Sequence, residues 1–196
     1  MTNSDPTIDT YDQFAAQIAE RFWKIDLTHI WEEFCNLLPT GARILDVGCG
    51  PGRDSAHFNS LGNWSVGVDL SIGMLLEAIR RTSGYFVQGD MNALPFHPTS
   101  FDAAWVEASL LHLPRSAAPV ALAEIHTVLK PDGLLFLALK KGEGEMWEQR
   151  EGLRFFTFYE DEELAKLLDR AGFALEKLWT DITPKQGWIN LLARKV

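Results

Sequence analysis

The sequence is short of cysteine, of positive charge and of long apolar runs, and each shortage removes a class of protein. Only Cys35 and Cys49 occur among 196 residues. Two thiols cannot build the disulfide framework of a small secreted scaffold. No apolar run reaches the roughly 18 residues that a membrane-crossing helix requires. The opening stretch MTNSDPTIDTYDQFA has neither the basic start nor the apolar core of a secretory signal, so a cytoplasmic location is expected. His29, His57, His97, His112 and His126 fall at no metal-ligand spacing, and no metal site is expected. The formal net charge is −9. Such a surface repels a phosphate backbone, which argues against nucleic acid and for a small-molecule partner. Lys140, Lys141, Arg150 and Arg154 form a local basic stretch, but glutamates interleave with them and the segment reads as mixed solvated surface.

What the chain does have is a regular alternation of apolar runs and amphipathic stretches. TIDTYDQFAAQIAERFWK reads as one helix, with Phe14, Ile18 and Phe22 four apart on one face. LTHIWEEFCNLL reads as a second. RILDV, WSVGVDL, GYFVQGD, FDAAWVEA and LLFLALK then read as strands. Helical patterns DSAHFNSL, SIGMLLEAIRR and SAAPVALAEIHTVLK fill three of the four gaps between them, and Ser71 is a suitable N-cap. PDG reads as the turn before the fifth strand. Such alternation predicts parallel βαβ units in a doubly wound, Rossmann-like sheet with helices on both faces. After the helix EDEELAKLLDRAGF, two further runs, ALEKLWTDI and GWINLLARK, are joined by TPKQ alone. So short a link predicts an antiparallel pair, giving seven strands, mostly parallel. Residues 1–196 are expected to form a single domain.

Between the first strand and its helix lies the loop GCGPG, containing Gly48, Gly50 and Gly52. Asp69 closes the second strand 21 positions after Gly48. That spacing suits an acidic side chain bonding ribose hydroxyls, which points to an adenosine-containing ligand. The loop is not the G-x-G-x-x-G pyrophosphate fingerprint, and Asp46 stands two residues before it. A carboxylate there suits a cationic ligand and repels a pyrophosphate.

Together these stretches resemble the class I S-adenosylmethionine-dependent methyltransferases over nearly the whole chain. ILDVGCGPGRD, VGVDLSIGML, VQGDMNALPF, FDAAWVEASLLHL and VLKPDGLLFLAL resemble the family's five motifs in order. The last has Pro131-Asp132-Gly133 where the family usually has Pro-Gly-Gly. The resemblance is nearest to small-molecule methyltransferases similar to quinone-biosynthesis enzymes. It implies S-adenosylmethionine as cofactor and S-adenosylhomocysteine as product. It implies that Gly48, Gly50 and Gly52 approach the cofactor, with Cys49 a small filler beside it. It also implies that Asp46 acts near the amino group, that Asp69 accepts from the ribose, and that Leu70, Met74 and Met91 line the adenine. Asp90 would bond the adenine amino group. Arg53 is expected either to reach the cofactor carboxylate or to form an ion pair, and Asp54 to serve the helix start.

Methyl transfer asks mainly for alignment and exclusion of water. Where the acceptor needs a base, His112, just beyond strand four, is the candidate, with Glu107 the alternative and also placed beside the cofactor. Substrate contacts are expected from the N-terminal helices, residues 1–40, which the resemblance makes a lid bearing Tyr11 and Trp23. They are also expected from an insertion at residues 141–160 bearing Trp147, Arg154 and Phe156. The GRD tripeptide is similar to arsenic-methylating relatives, but those rely on several cysteines that this chain lacks. The expected function is methyl transfer by in-line displacement to a small-molecule acceptor. The competing readings are a noncatalytic cofactor-binding or partner-activating subunit and a methyltransferase acting on RNA or protein. The sequence does not decide between monomer and homodimer.

Overall fold

In the computed structural model, which describes residues 5–196, parallel strands β1 (Arg43–Val47), β2 (Trp64–Asp69), β3 (Tyr85–Gln88), β4 (Phe101–Glu107) and β5 (Leu129–Lys140) form the body of one sheet. Strands β8 (Phe173–Ile182) and β9 (Gly187–Lys195) complete it as an antiparallel pair, in the order β3-β2-β1-β4-β5-β9-β8. This is the seven-stranded, mostly parallel sheet the sequence predicts.

The central strands are apolar on both sides because both sides are covered. Ile44, Ala103, Trp105 and Phe136 pack on one face against Ile30 and Phe34 of α3 (Thr28–Cys35) and Phe58 of α4 (Arg53–Ser60). Their sequence neighbours Leu45, Ala104, Val106 and Leu137 turn to the other face. There they meet Ala121, Leu122 and Ile125 of α6 (Ala118–Val128) and Leu164 and Leu168 of α7 (Asp161–Arg170). Strand periodicity of two thus divides one apolar run between two cores. Ser71 caps α5 (Ile72–Arg81), its Oγ accepting from Met74 N at 3.1 Å.

Two elements differ from the sequence reading. The first predicted helix is broken into α1 (Pro6–Gln13) and α2 (Ala15–Phe22), with Phe14 at φ −111°, ψ 21° between them. Both halves meet α5, and α1 is also bonded to the backbone of Leu153 and Phe155. Ala15 and Ile18 pack on Met74, whereas α1 is tied to the 141–160 segment through Thr7 and Thr10. β5 also begins earlier than the predicted turn. Leu129 pairs with Phe101 and Leu134 with Ala103, so Pro-Asp-Gly is a bulge inside the strand rather than its start, with Asp132 at φ 62°. The 141–160 segment carries its own hairpin, β6 (Glu145–Gln149) and β7 (Leu153–Thr157), outside the main sheet. Among the described residues, no helix is long and apolar enough to cross a membrane.

Candidate functional site

The C-terminal ends of β1, β2 and β4 converge on a cavity of about 790 Å³, where a doubly wound sheet places its ligands. The glycine loop forms one wall. Gly48, Gly50 and Gly52 all take positive φ, at 72°, 51° and 77°. Gly48 N and Cys49 N both donate to Val68 O, at 2.7 and 3.1 Å, which fastens the loop to β2. At Gly48 the constraint is protein against protein, since an added Cβ would lie 2.2 Å from Ser109 Cβ. Ser109 is fixed there by its own Oγ donating to Val47 O at 2.6 Å.

Asp69 organises the loop from across the crevice. Its Oδ2 accepts from Gly50 N at 2.8 Å and its Oδ1 from Ser71 N at 2.9 Å. Burial raises its carboxyl above the usual value, opposed by these backbone bonds. Leu70, Met74, Asp90 and Met91 line the cavity beside it. Asp90 is exposed and its Oδ1 accepts from Asn92 N and Nδ2, at 2.8 and 2.9 Å.

Asp46 does not line this cavity. It shares the parity of Ile44 and so faces α4, where its Oδ2 accepts from Ser55 Oγ at 2.7 Å. Burial first, and the nearby Asp54 next, hold its carboxyl well above the usual range. It therefore brings less negative charge to the loop than its sequence position suggests. Gly52 is likewise off the wall, serving as the N-cap of α4. Cys49 lines the cavity with its sulfur turned in against Gly67, and burial pushes its thiol up, so it is inert filler.

Arg53 and Asp54 form a buried fork, with Nε–Oδ1 2.8 Å and Nη2–Oδ2 3.0 Å. Asp54 also accepts from the indoles of Trp31 and Trp105, at 3.1 and 3.0 Å. It is thus a four-bonded hub, not the simple helix-start charge the sequence suggests. Arg53 also donates to Phe22 O at 3.2 Å and stands 3.4 Å from Glu107 Oε2. These partners occupy the guanidinium within the protein. Burial, with Asp54 adding to it against the pull of Arg53, raises Glu107 to about 7.

His112 joins α1 to the hairpin. Its Nδ1 lies 2.7 Å from Phe155 O, and its Nε2 lies 2.8 Å from Tyr11 Oη. A carbonyl only accepts, so Nδ1 carries the proton and Nε2 accepts from the tyrosine. Burial lowers His112 to about 4 and raises Tyr11 to about 12, so both are neutral near pH 7. Around it α1 is clamped at both ends. Phe155 N donates to Thr7 Oγ1 at 3.1 Å and Thr10 Oγ1 donates to Leu153 O at 3.0 Å. At the other end, Asp12 Oδ1 accepts from Ser71 Oγ and from Gly73 N, at 2.5 and 2.8 Å.

The depressed histidine has a measurable consequence. Unfolded His112 takes a proton near pH 6.5, native His112 only near 4. Between these values the unfolded chain binds more protons, so stability is lost as pH falls through the window. His112→Gln is expected to shrink the difference in urea midpoint between pH 7 and pH 5. An unchanged difference would mean that His112 titrates normally.

Of the residues expected at the substrate, Tyr11, Arg154 and Phe156 line the cavity. Trp23 and Trp147 do not. Trp23 ends α2 under Arg81, 5.7 Å from the guanidinium carbon, and Trp147 faces outward against Phe155, 5.1 Å between rings. Lys140 lines the cavity as well. It ends the apolar strand β5, and the first charge after so apolar a run was the available signal in the sequence.

Comparison with known proteins agrees with this geometry. Residues 44–133 match the family model described as a methyltransferase domain. A malonyl-[acyl-carrier protein] O-methyltransferase of Erwinia billingiae is 39% identical over 101 residues, covering 50% of this chain and 39% of that protein. A 2-methyl-6-phytyl-1,4-hydroquinone methyltransferase of Synechocystis is 29% identical over 86% of this chain and 59% of its own length. The chain thus spans about two fifths of the length of the first of these relatives and under two thirds of the second. The solved Burkholderia thailandensis 1,6-didemethyltoxoflavin-N1-methyltransferase, with bound substrate and S-adenosylhomocysteine, has the same fold. Its TM-score is 0.76 at 24% identity, over 100% of this chain and 92% of that one.

Proposed function

We propose that the chain is a class I S-adenosylmethionine-dependent methyltransferase, a reading supported by the methyltransferase-domain match and the methyltransferase relatives, and that it transfers a methyl group from S-adenosylmethionine to a small-molecule acceptor. The observation that carries the reading is Asp69, a carboxylate at the end of β2 whose two oxygens are pinned by Gly50 N and Ser71 N at the cavity wall. So held, it can accept from a pair of ribose hydroxyls without reorganising.

The donor set fits the cofactor. Met74, Met91 and Leu70 give an apolar slot for a purine, and a side chain at Gly50 would project toward Met74 Cε, 3.4 Å away. The cavity is within the range that encloses a drug-sized ligand and leaves room for an acceptor. When bound, S-adenosylmethionine supplies a methyl already activated on a sulfonium. The protein's task is then alignment for in-line displacement and exclusion of water. The N-terminal helices, within residues 1–40, do the excluding, because α1 bridges α5 and the hairpin over the cavity.

His112 serves here as a positioning residue. With a value near 4 its neutral imidazole is a weak base, poorly matched to general-base work at neutral pH. Its bonds to Tyr11 and Phe155 instead set the lid against the hairpin. The whole of residues 1–196 acts as a single domain in the cytoplasm on a small molecule, the class named for the hydroquinone and toxoflavin relatives. S-adenosylhomocysteine is expected to raise the melting temperature by mass action, and NAD is not. A release assay for S-adenosylhomocysteine over phenols, quinones, amines, thiols and carboxylates should then find turnover. No thermal shift at saturating ligand would overturn the cofactor; a shift with no turnover on any acceptor class would overturn the enzyme.

A further inference from the structure

We propose that the hairpin end of the cavity is a subsite for an oxyanion, a carboxylate or phosphate carried by the methyl acceptor, and that Arg154 with Lys140 reads it. This rests on the methyl-transfer reading only for the word acceptor; the anion site stands on its own observations.

Arg154 is 5% exposed, and beyond a side-chain bond to Tyr11 its guanidinium is poorly satisfied. Its Nε has no hydrogen-bond partner. Its Nη2 stands 3.8 Å from Glu151 Oε2 and 4.0 Å from Glu148 Oε1, both beyond hydrogen-bond reach. A buried charge in a finished structural ion pair is closely bonded, because desolvation is otherwise uncompensated. Here the donors are held at the wall of a cavity instead.

The neighbours add to the surplus. Lys140 Nζ lies 3.5 Å over the ring centre of Phe156 and 3.6 Å from Glu148 Oε2. Glu151 Oε1 is engaged by Arg21 and lies 3.6 Å from Arg150, while its Oε2, which faces Arg154, has no hydrogen-bond partner. Four cations therefore share two carboxylates, and His112 alongside is neutral. Three of these cations, Lys140, Arg150 and Arg154, line the cavity with Glu148, in a chain whose overall charge is −9, so the basic cluster is a local construction rather than a general feature of the surface. β7 supplies the alignment. Arg154 and Phe156, two apart, share a face, and Arg154 Cζ lies 5.4 Å from the Phe156 ring and 5.9 Å from the Tyr11 ring. A planar fork between aromatic walls suits an oxyanion on an aromatic or other flat body.

The test is calorimetric titration of the protein, with and without S-adenosylhomocysteine, using benzoate, phenyl phosphate and benzamide. Benzoate or phenyl phosphate is expected to bind at least tenfold more tightly than benzamide, and the better of the two names the oxyanion. Arg154→Gln should abolish the preference and Arg154→Lys should retain part of it, with the urea midpoint near wild type. If Arg154→Gln does not fold, Lys140→Met carries the same expectation of a reduced preference. Equal binding of benzamide, no binding of either anion, or a preference that survives both substitutions overturns the subsite. Loss of S-adenosylhomocysteine binding alone would overturn the cofactor reading, while the anion preference of the unloaded protein would still be read.

Discussion

Gly48→Ala is expected to destabilise the protein by about 2–4 kcal/mol, the sum of an overpacking cost and a left-handed backbone cost. The φ of 72° is one cause and the new Cβ, 2.2 Å from Ser109 Cβ and 2.8 Å from its Oγ, is the other. Neither side can yield cheaply. Gly48 is bonded through its N–H to Val68 O at 2.7 Å, and Ser109 through its hydroxyl to Val47 O at 2.6 Å. Each is thus fixed to a different central strand of the sheet. A melting temperature lowered by about 10 °C follows for a chain of this size. The double variant Gly48→Ala, Ser109→Gly should recover part of the loss, since it relieves the clash but not the φ. A single variant as stable as wild type would show that β1 and β4 do not approach so closely at their ends.

That close approach also marks the limit of what the sequence makes legible. The strands of the main sheet are readable because residues buried on both faces form apolar runs such as LLFLALK, and the final antiparallel pair because its linker is too short for a crossover. Asp69 is readable because its distance from the loop is set by one βαβ unit. Other features depend on contacts distant in the chain. The break at Phe14 accompanies a second attachment: both helices meet α5, but α1 is also bonded to the backbone of β7, and no local pattern announces that contact. Asp46 stands beside the loop in sequence but faces α4, and only the parity of β1 with Ile44 tells of it. Asp54 finds Trp31 and Trp105 from α3 and β4, which no local pattern announces. FFTFY reads as strand-like, but its partner Glu145–Gln149 is charged and exposed, so half of the hairpin is silent.

Asp69→Ala is expected to weaken S-adenosylhomocysteine binding at least a hundredfold, or about 2.7 kcal/mol. Two losses combine. The ribose loses its acceptor, and the amides of Gly50 and Ser71 lose theirs, at 2.8 and 2.9 Å. The second loss acts before any ligand arrives, because Gly50 is the turn of the loop and Ser71 the cap of α5. The affinity change should therefore come with a lower urea midpoint. Asp69→Asn separates the two: its amide oxygen can still serve one N–H, while its NH₂ opposes the other. It should keep most of the stability and lose roughly tenfold in affinity, the scale of one charged hydrogen bond. Acidification offers the same test without mutation. Binding should decline as pH falls through the raised native value of Asp69, since the neutral acid accepts fewer bonds, and the Asn variant should lack that decline. Titrations at a series of pH values decide it. If Asp69→Ala binds S-adenosylhomocysteine as tightly as wild type, the carboxylate holds the loop and no ribose.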